Sequence, residues 1–287
     1  MSSLEKLHTH HSQLIGAIKS LADRAKETPT DASLLLSYCE EYLVPHAEAE
    51  ELTLYAADDD LKFVNDMIRE HKEIKHGLDM IEATFGHGDV QLLRSQIDDF
   101  LVLLGKHFSE EENILIARLG KKLSEQELDS LIEKVHHMEK ERKKSDVWSL
   151  FELDHRRIDL NISSLRAAPE QRSATRLYSK TRAQLLKHIE LEETLLFPSF
   201  GDHATPEQMR PVRVMISEHR EIVSCISTPA DKTDVKTIHG ILNQLIGKLA
   251  THNKKEELIL YPLINSTLPH EDRYKIFKGS LEQLQTV

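Results

Sequence analysis

The sequence predicts an all-α protein built as two tandem up-and-down four-helix bundles, each followed by an extra helix. Three observations lead there. Ten Gly, nine Pro and few aromatics in 287 residues do not supply the turn chemistry of an all-β protein. Apolar residues recur at helical spacing over long stretches joined by short breaks, the pattern of an up-and-down bundle. The chain is also written twice, with matching segments on the order of 145 residues apart, too long and too few for a solenoid.

The first helix is read from Leu4 to Leu21, and "TPTDAS" (28–33) ends it with Pro and Asp. The second runs from Leu34 to Tyr55. Pro45 lies inside it, which predicts a kink or restart just before His46. The third spans Phe63 to Phe85 and carries "MIREHKEI" (67–74); "FGHGD" (85–89) separates it from a fourth, Val90 to Leu119. Residues 120–147, charged and Leu-spaced, predict an extra helix leading into the second half. There "WSLFELDHRRIDLNI" (148–162) aligns with "LEKLHTHHSQLIGAI" (4–18), setting Trp148 over Leu4, Phe151 over Leu7 and His155 over His11. Breaks fall at "AAPEQRS" (167–173), "FGDHATPEQ" (200–208) and "STPADKTD" (227–234), and "MISEHREI" (215–222) repeats the third-helix phrase. The C-terminal "LPHEDRYKIFKGSLEQL" is the counterpart of the extra helix. The domains expected are therefore 1–145 and 146–287.

A formal charge of −11 disfavours nucleic acid as a partner, and the single short basic run "KERKK" (140–144) is read as a solvated helix face. No apolar run reaches the ~20 residues that span a bilayer, and the N-terminus lacks a signal-peptide core, so a cytoplasmic protein without membrane contact is expected. Cys39 and Cys225 form no disulfide framework and are read as buried or half-buried small residues.

The chemistry lies in one phrase written four times: "PHAEAEELTLYA" (45–56), "KHFSEEENILIA" (106–117), "KHIELEETLLFP" (187–198) and "THNKKEELILYP" (251–262). Residues four apart share a helix face, so each His points with the first Glu of its pair. Adding one His from the first and third helices gives His11, His46, Glu50, His71, His107 and Glu111 in the first half. The second half supplies His155, His188, Glu192, His219, His252 and Glu256. Burying such a set without a cation would cost several kcal/mol per unpaired carboxylate. Imidazole and carboxylate together suit zinc, iron, manganese or copper, as one ion or two per half. The flanking Glu51, Glu112, Glu193 and Glu257 fall roughly 140° from the histidine side and are read as solvated or cross-helix salt-bridging, with a supporting role behind the ligands as the alternative. His8, His10, His76, His87, His136, His137, His203, His239 and His270 are read as surface residues. Tyr42, one turn before His46, is read as a core tyrosine.

One His from helix one, H-x-x-x-E from helix two, E-H from helix three and H-x-x-x-E from helix four resembles the hemerythrin-like, or HHE cation-binding, family. "EHREI", "HIELEETLLFP" and "HNKKEELILYP" are similar to its signature segments, and the resemblance covers nearly the whole chain as two copies. It implies a non-haem di-iron centre in each bundle, bridged by two carboxylates and an oxo or hydroxo group. It also implies that the protein binds, senses or reacts with dioxygen, nitric oxide or peroxide, or reports on cellular iron. Lys75 and Val223 stand where the oxygen carriers of the family have a second helix-three histidine, which leaves His76 or His8 as substitutes in the first half. Enzymatic consumption of peroxide or nitric oxide, and a metal-dependent interaction module, are the competing functional classes.

Overall fold

Polar caps mark where the helices start and stop in the computed structural model, which describes residues 3–168, 170–230 and 233–286. The side chain of Leu4, Pro169 in the first break of the second half, and residues 231–232 in its last break lie outside the described residues. The chain divides into two units, Met1–Lys144 and Ser145–Val287, each all-helical among the described residues.

In the first unit α1 (Ser3–Glu27) is followed by α2 (Ala32–Tyr38), α3 (Val44–Glu51) and α4 (Leu54–Ala57), which together make the second bundle helix. The third is α5 (Leu61–His87), opened by the Asp60 side chain accepting from the Phe63 N–H and closed by Gly88. Gly88 has φ 74°, the left-handed conformation that glycine adopts without strain. Asp89 then caps α6 (Val90–Glu110), which continues as α7 (Ile116–Lys122). The extra helix α8 (Glu125–Arg142) starts with a Ser124–Glu127 capping box and packs on α1 and α3. The second unit repeats this with α9 (Val147–Arg166), α10 (Gln171–Leu191), α11 (Phe197–Gly201), α12 (Met209–Cys225), α13 (Val235–Lys255), α14 (Tyr261–Thr267) and α15 (His270–Leu284). Here α9 packs on α10, α12 on α13, and α15 against α9 and α10. The apolar stripes pack into buried clusters, one holding Leu7, Met67, Leu115 and Ile132 in the first unit and one holding Ile158, Leu185, Ile222 and Leu245 in the second.

The helices are interrupted at recurrent places by a single π-turn: Cys39–Leu43, Glu111–Leu115, Glu192–Leu196 and Glu256–Leu260. The first precedes Pro45, so the expected restart before His46 takes the form of a π-turn followed by α3. The other three begin on the first Glu of the E-E pair, and the N–H of the residue five later donates to that Glu's carbonyl. A wide turn of this kind brings residue i+5 onto the face of residue i, which a regular helix would not do. No helix of the described residues is long and apolar enough to cross a membrane.

Candidate metal centres

All twelve residues singled out by the repeat converge on the bundle interiors, and each is at most 8% exposed. In the first unit Glu50 Oε1 lies 3.3 Å from His11 Nε2 and 3.2 Å from His46 Nε2, while its Oε2 lies 3.9 Å from His71 Nε2. His107 Nε2 is 3.5 Å from Glu111. In the second unit Glu256 spans the set in the same way, with Oε2 3.4 Å from His155 and Oε1 3.2 Å from His252. Glu192 Oε2 lies 3.5 Å from His188 and 3.2 Å from His219. Each unit therefore holds two imidazole pairs with carboxylates between them: His11/His46 and His71/His107, then His155/His188 and His219/His252.

The outward nitrogens repeat a second pattern. His11 Nδ1 faces Glu112 at 3.3 Å, His71 faces Glu51 at 2.8 Å and His107 faces Glu70 at 3.1 Å. In the second unit His155 faces Glu257 at 2.8 Å, His188 faces Asp154 at 2.9 Å, His219 faces Glu193 at 2.9 Å and His252 faces Glu218 at 3.0 Å. His46 completes the series more loosely, 3.5 Å from Glu139 of α8. A carboxylate behind Nδ1 places the proton there and turns the Nε2 lone pair inward, the orientation a metal requires. Of the readings of the four flanking glutamates, solvated or cross-helix salt-bridging with a supporting role as the alternative, the cross-helix pairing is the one these contacts bear out, and it serves that supporting role. Each is half-buried and holds an imidazole of the neighbouring helix.

Several atoms fit a cation and little else. One oxygen each of Glu50, Glu111, Glu192 and Glu256 is buried and makes no well-aligned hydrogen bond, and those of Glu50, Glu192 and Glu256 face imidazole nitrogens at 3.2–3.9 Å. The inward nitrogens of His155 and His188 lie 3.0 Å apart, and those of His219 and His252 3.1 Å apart. With both protons on Nδ1 these would be two facing lone pairs. Nitrogens about 2.1 Å from one ion and at right angles across it would stand at this separation. In the chain without metal, protons compensate the carboxylates instead. Burial pushes the His46 imidazole down, but Glu50 and Glu139 more than reverse this and raise it to about 10. Burial likewise opposes His155 and His219, which their glutamates raise to about 10. Burial pushes Glu50 and Glu256 up, and the imidazoles around them hold both well below the ordinary carboxylate range.

The repeat pattern missed several residues that belong to the sites. Glu70 and Glu218 are the Glu of each third-helix "EH", and each orients a fourth-helix His while pairing with Lys106 or Lys255. Asp154 immediately precedes His155 and also receives Arg157 at 3.4 Å. In the first unit its place is taken by His10, whose Nε2 lies 3.0 Å from Glu139. His10 and His136, expected at the surface, are half-buried with rings 5.4 Å apart, and His239 is half-buried too. Two tyrosines also enter. The Tyr55 hydroxyl donates to Glu111 and sits 3.1 Å from His71 Nε2, and the Tyr261 hydroxyl donates to Glu192 at 2.6 Å. Tyr42, read as a core tyrosine, is half-buried, its ring 4.6 Å from that of Tyr38 and under the Lys143 ammonium.

Neither substitute expected for the second helix-three histidine joins the set. Lys75 points outward to Glu40 at 2.6 Å and Asp79 at 2.9 Å, and His76 is exposed. His8, also exposed, pairs with Glu112 at 3.0 Å. Val223 is half-buried and packs against the apolar core. A family model described as "Hemerythrin HHE cation binding domain" matches residues 2–119 and again 146–264. Comparison with curated proteins and with solved structures gives no match.

Proposed function

The chain belongs to the hemerythrin HHE cation-binding family, and from that premise we propose that each unit holds a pair of iron ions and uses them to bind or sense dioxygen, nitric oxide, peroxide or cellular iron. The observation that carries this reading is the doubled donor set: two inward imidazole pairs flanking two buried carboxylates, at matching positions in both units. In the first unit His11, His46, His71 and His107 would hold the ions, with Glu50 and Glu111 between them. In the second, His155, His188, His219 and His252 would do so around Glu192 and Glu256. Bound iron supplies a redox-active ion with coordination positions for a small exogenous molecule.

The rest is done by the protein. The eight outer carboxylates fix the imidazoles before any ion arrives, so little reorganisation is left to binding. Phe108 packs its ring 4.7 Å from that of His11, and Phe151 lies 5.4 Å from His188. These rings keep water from the inward nitrogens. Four imidazoles and two carboxylates per unit also leave the pair more positive than a four-carboxylate set would, which favours binding and sensing over oxygenase chemistry.

Metal analysis of protein purified without oxygen, followed by an optical spectrum before and after air, tests the reading. About four irons per chain, as two pairs would require, and a spectral change on exposure are expected. Zinc, or one ion per unit with a silent spectrum, would overturn it. Steady-state consumption of nitric oxide or peroxide would move the protein from sensor to enzyme.

A further inference from the structure

The tyrosine of each unit comes from a different helix. Tyr55 follows Glu50 by five residues in the second bundle helix of the first unit. Tyr261 follows Glu256 by five residues in the fourth bundle helix of the second. The matching residues of the other two E-E phrases are Ile116 and Phe197, which carry no hydroxyl. Phe197 stacks on His219 at 5.9 Å and 5°, as Tyr55 stacks on His71 at 5.2 Å and 19°. The ring position is thus kept in both units and only the oxygen has moved. Tyr261 stacks instead on His155, at 5.8 Å.

Each phenol oxygen lies among the inward donor atoms. Tyr55 Oη contacts Glu111 Oε1 and His71 Nε2, the latter at 3.1 Å. Tyr261 Oη is 2.6 Å from Glu192 Oε1, 3.3 Å from Glu256 Oε2 and 3.4 Å from His155 Nε2. These separations match those between the paired imidazole nitrogens, 3.0 and 3.1 Å. Lys75 leaves a donor position unfilled beside the His71/His107 pair, and the Tyr55 oxygen approaches that pair; the Tyr261 oxygen instead approaches the His155/His188 pair, away from the helix that carries Val223.

We propose that Tyr55 and Tyr261 are iron ligands and that they serve opposite members of the two ion pairs, Tyr55 the ion held by His71 and His107, and Tyr261 the ion held by His155 and His188. This rests on the reading of each unit as a di-iron site. Coordination of a ferric ion replaces the phenolic O–H bond with an O–Fe bond, the proton leaves to bulk water and no electron is transferred. The ion left without a phenol is then the His11/His46 ion in the first unit and the His219/His252 ion in the second. In the second unit a cavity of about 240 Å³ lined by Glu218, Lys248, Thr251 and Lys255 reaches the outer face of His252, on the side of the phenol-free pair.

The test is the visible phenolate-to-iron charge-transfer band of the ferric full-length protein, with resonance Raman detection of phenolate ring modes and iron counted in every sample. Tyr55→Phe and Tyr261→Phe should each remove roughly half of the band, and the double variant all of it, with iron content unchanged. Iron present without a phenolate band, or a band that survives in the double variant, would overturn this inference alone. Absence of iron would overturn both it and the di-iron reading. The opposite placement has its own readout: His71→Ala should abolish the Tyr55 contribution, whereas the matching His219→Ala should spare that of Tyr261. Equal loss in both, with one iron retained in the altered unit, would refute the placement.

Discussion

Replacing Asp154 probes the outer carboxylates where burial makes them count most. Its Oδ2 accepts from His188 Nδ1 at 2.9 Å and its Oδ1 from Arg157 Nη1 at 3.4 Å. Arg157 is 0% exposed and Asp154 2%, so water cannot replace either contact. Burial pushes the Asp154 carboxyl up, and His188, Arg157 and His155 more than reverse it, holding it below its ordinary value. Asp154→Ala takes one carboxylate from a buried guanidinium and the acceptor from a buried imidazole, and a buried pair broken on one side loses about 3–5 kcal/mol. Arg157 keeps the Leu284 carbonyl at 3.3 Å and, with the Gln184 amide oxygen turned toward it, two further contacts at 3.1 Å, which places the loss at the lower end. Asp154→Asn retains an acceptor and loses only the charge assistance, about 1–2 kcal/mol. Metal affinity at His188 should fall about 10–100-fold in the Asn variant, which is about 1.4–2.7 kcal/mol. Trp148, the only tryptophan, lies in α9, so its fluorescence follows urea unfolding of the second unit within the intact chain. Competition with a chelator gives the affinity. A shift below about 1 kcal/mol for Asp154→Ala, or wild-type metal affinity in Asp154→Asn, would refute the role given to this carboxylate.

Other outcomes follow from the same geometry. In metal-free protein the imidazoles raised to about 10 (His46, His155 and His219) and to about 9 (His107) stabilise the fold fully below their unfolded value of about 6.5, and that contribution is lost as pH rises through 9 to 10. Melting curves across this range should fall for metal-free protein and stay flatter for loaded protein, and parallel curves would contradict the assignment. Loading should release protons near neutral pH, measurable in a weakly buffered dye assay, and no release would mean that the imidazoles are already neutral. Free metal at about a hundred times Kd adds about 2.7 kcal/mol per ion, about 5.4 kcal/mol for a unit that holds two, so chelation should lower the melting temperature of a unit of this size by about 10–20 °C. Glu193→Gln should weaken metal binding about tenfold or more through His219, whereas Lys75→Ala, 46% exposed in its side chain, should leave it unchanged. Equal effects in a metal titration would remove the distinction between site and surface.

Much of this was legible because the chain carries its own comparison. Two copies of the same six positions single out the candidate ligand faces, and the apolar period placed each bundle helix. The bend at Pro45 was legible from its missing N–H. The supporting role of the flanking glutamates was only the lesser reading because a helical wheel refers each residue to its own axis. Glu51 does point away from His46, but the seam between helices brings it to His71. The tyrosines were missed for a related reason. On a regular helix Tyr261 falls roughly 140° from Glu256, and only the π-turn returns it to the same face. In the first unit a break at Leu52–Thr53, with the Thr53 hydroxyl donating to the Ala49 carbonyl, has the equivalent effect for Tyr55. His10 and Glu139 meet only because α8 folds back on α1, a pairing no local pattern announces.

The π-turns give the chain an unusual sensitivity. Each amounts to a single extra residue lodged in an α-helix, and omitting that residue would let the helix relax to its regular pitch while rotating everything downstream by roughly 100°. After Glu256 such a shortening would swing Tyr261 off His155 and carry Tyr261 and Ile264 out of the apolar seam together. Residue count within these five-residue segments therefore constrains the protein more tightly than residue identity does at most positions within them. Homologous chains that keep the carboxylates but lose one position there would be built around a different third partner.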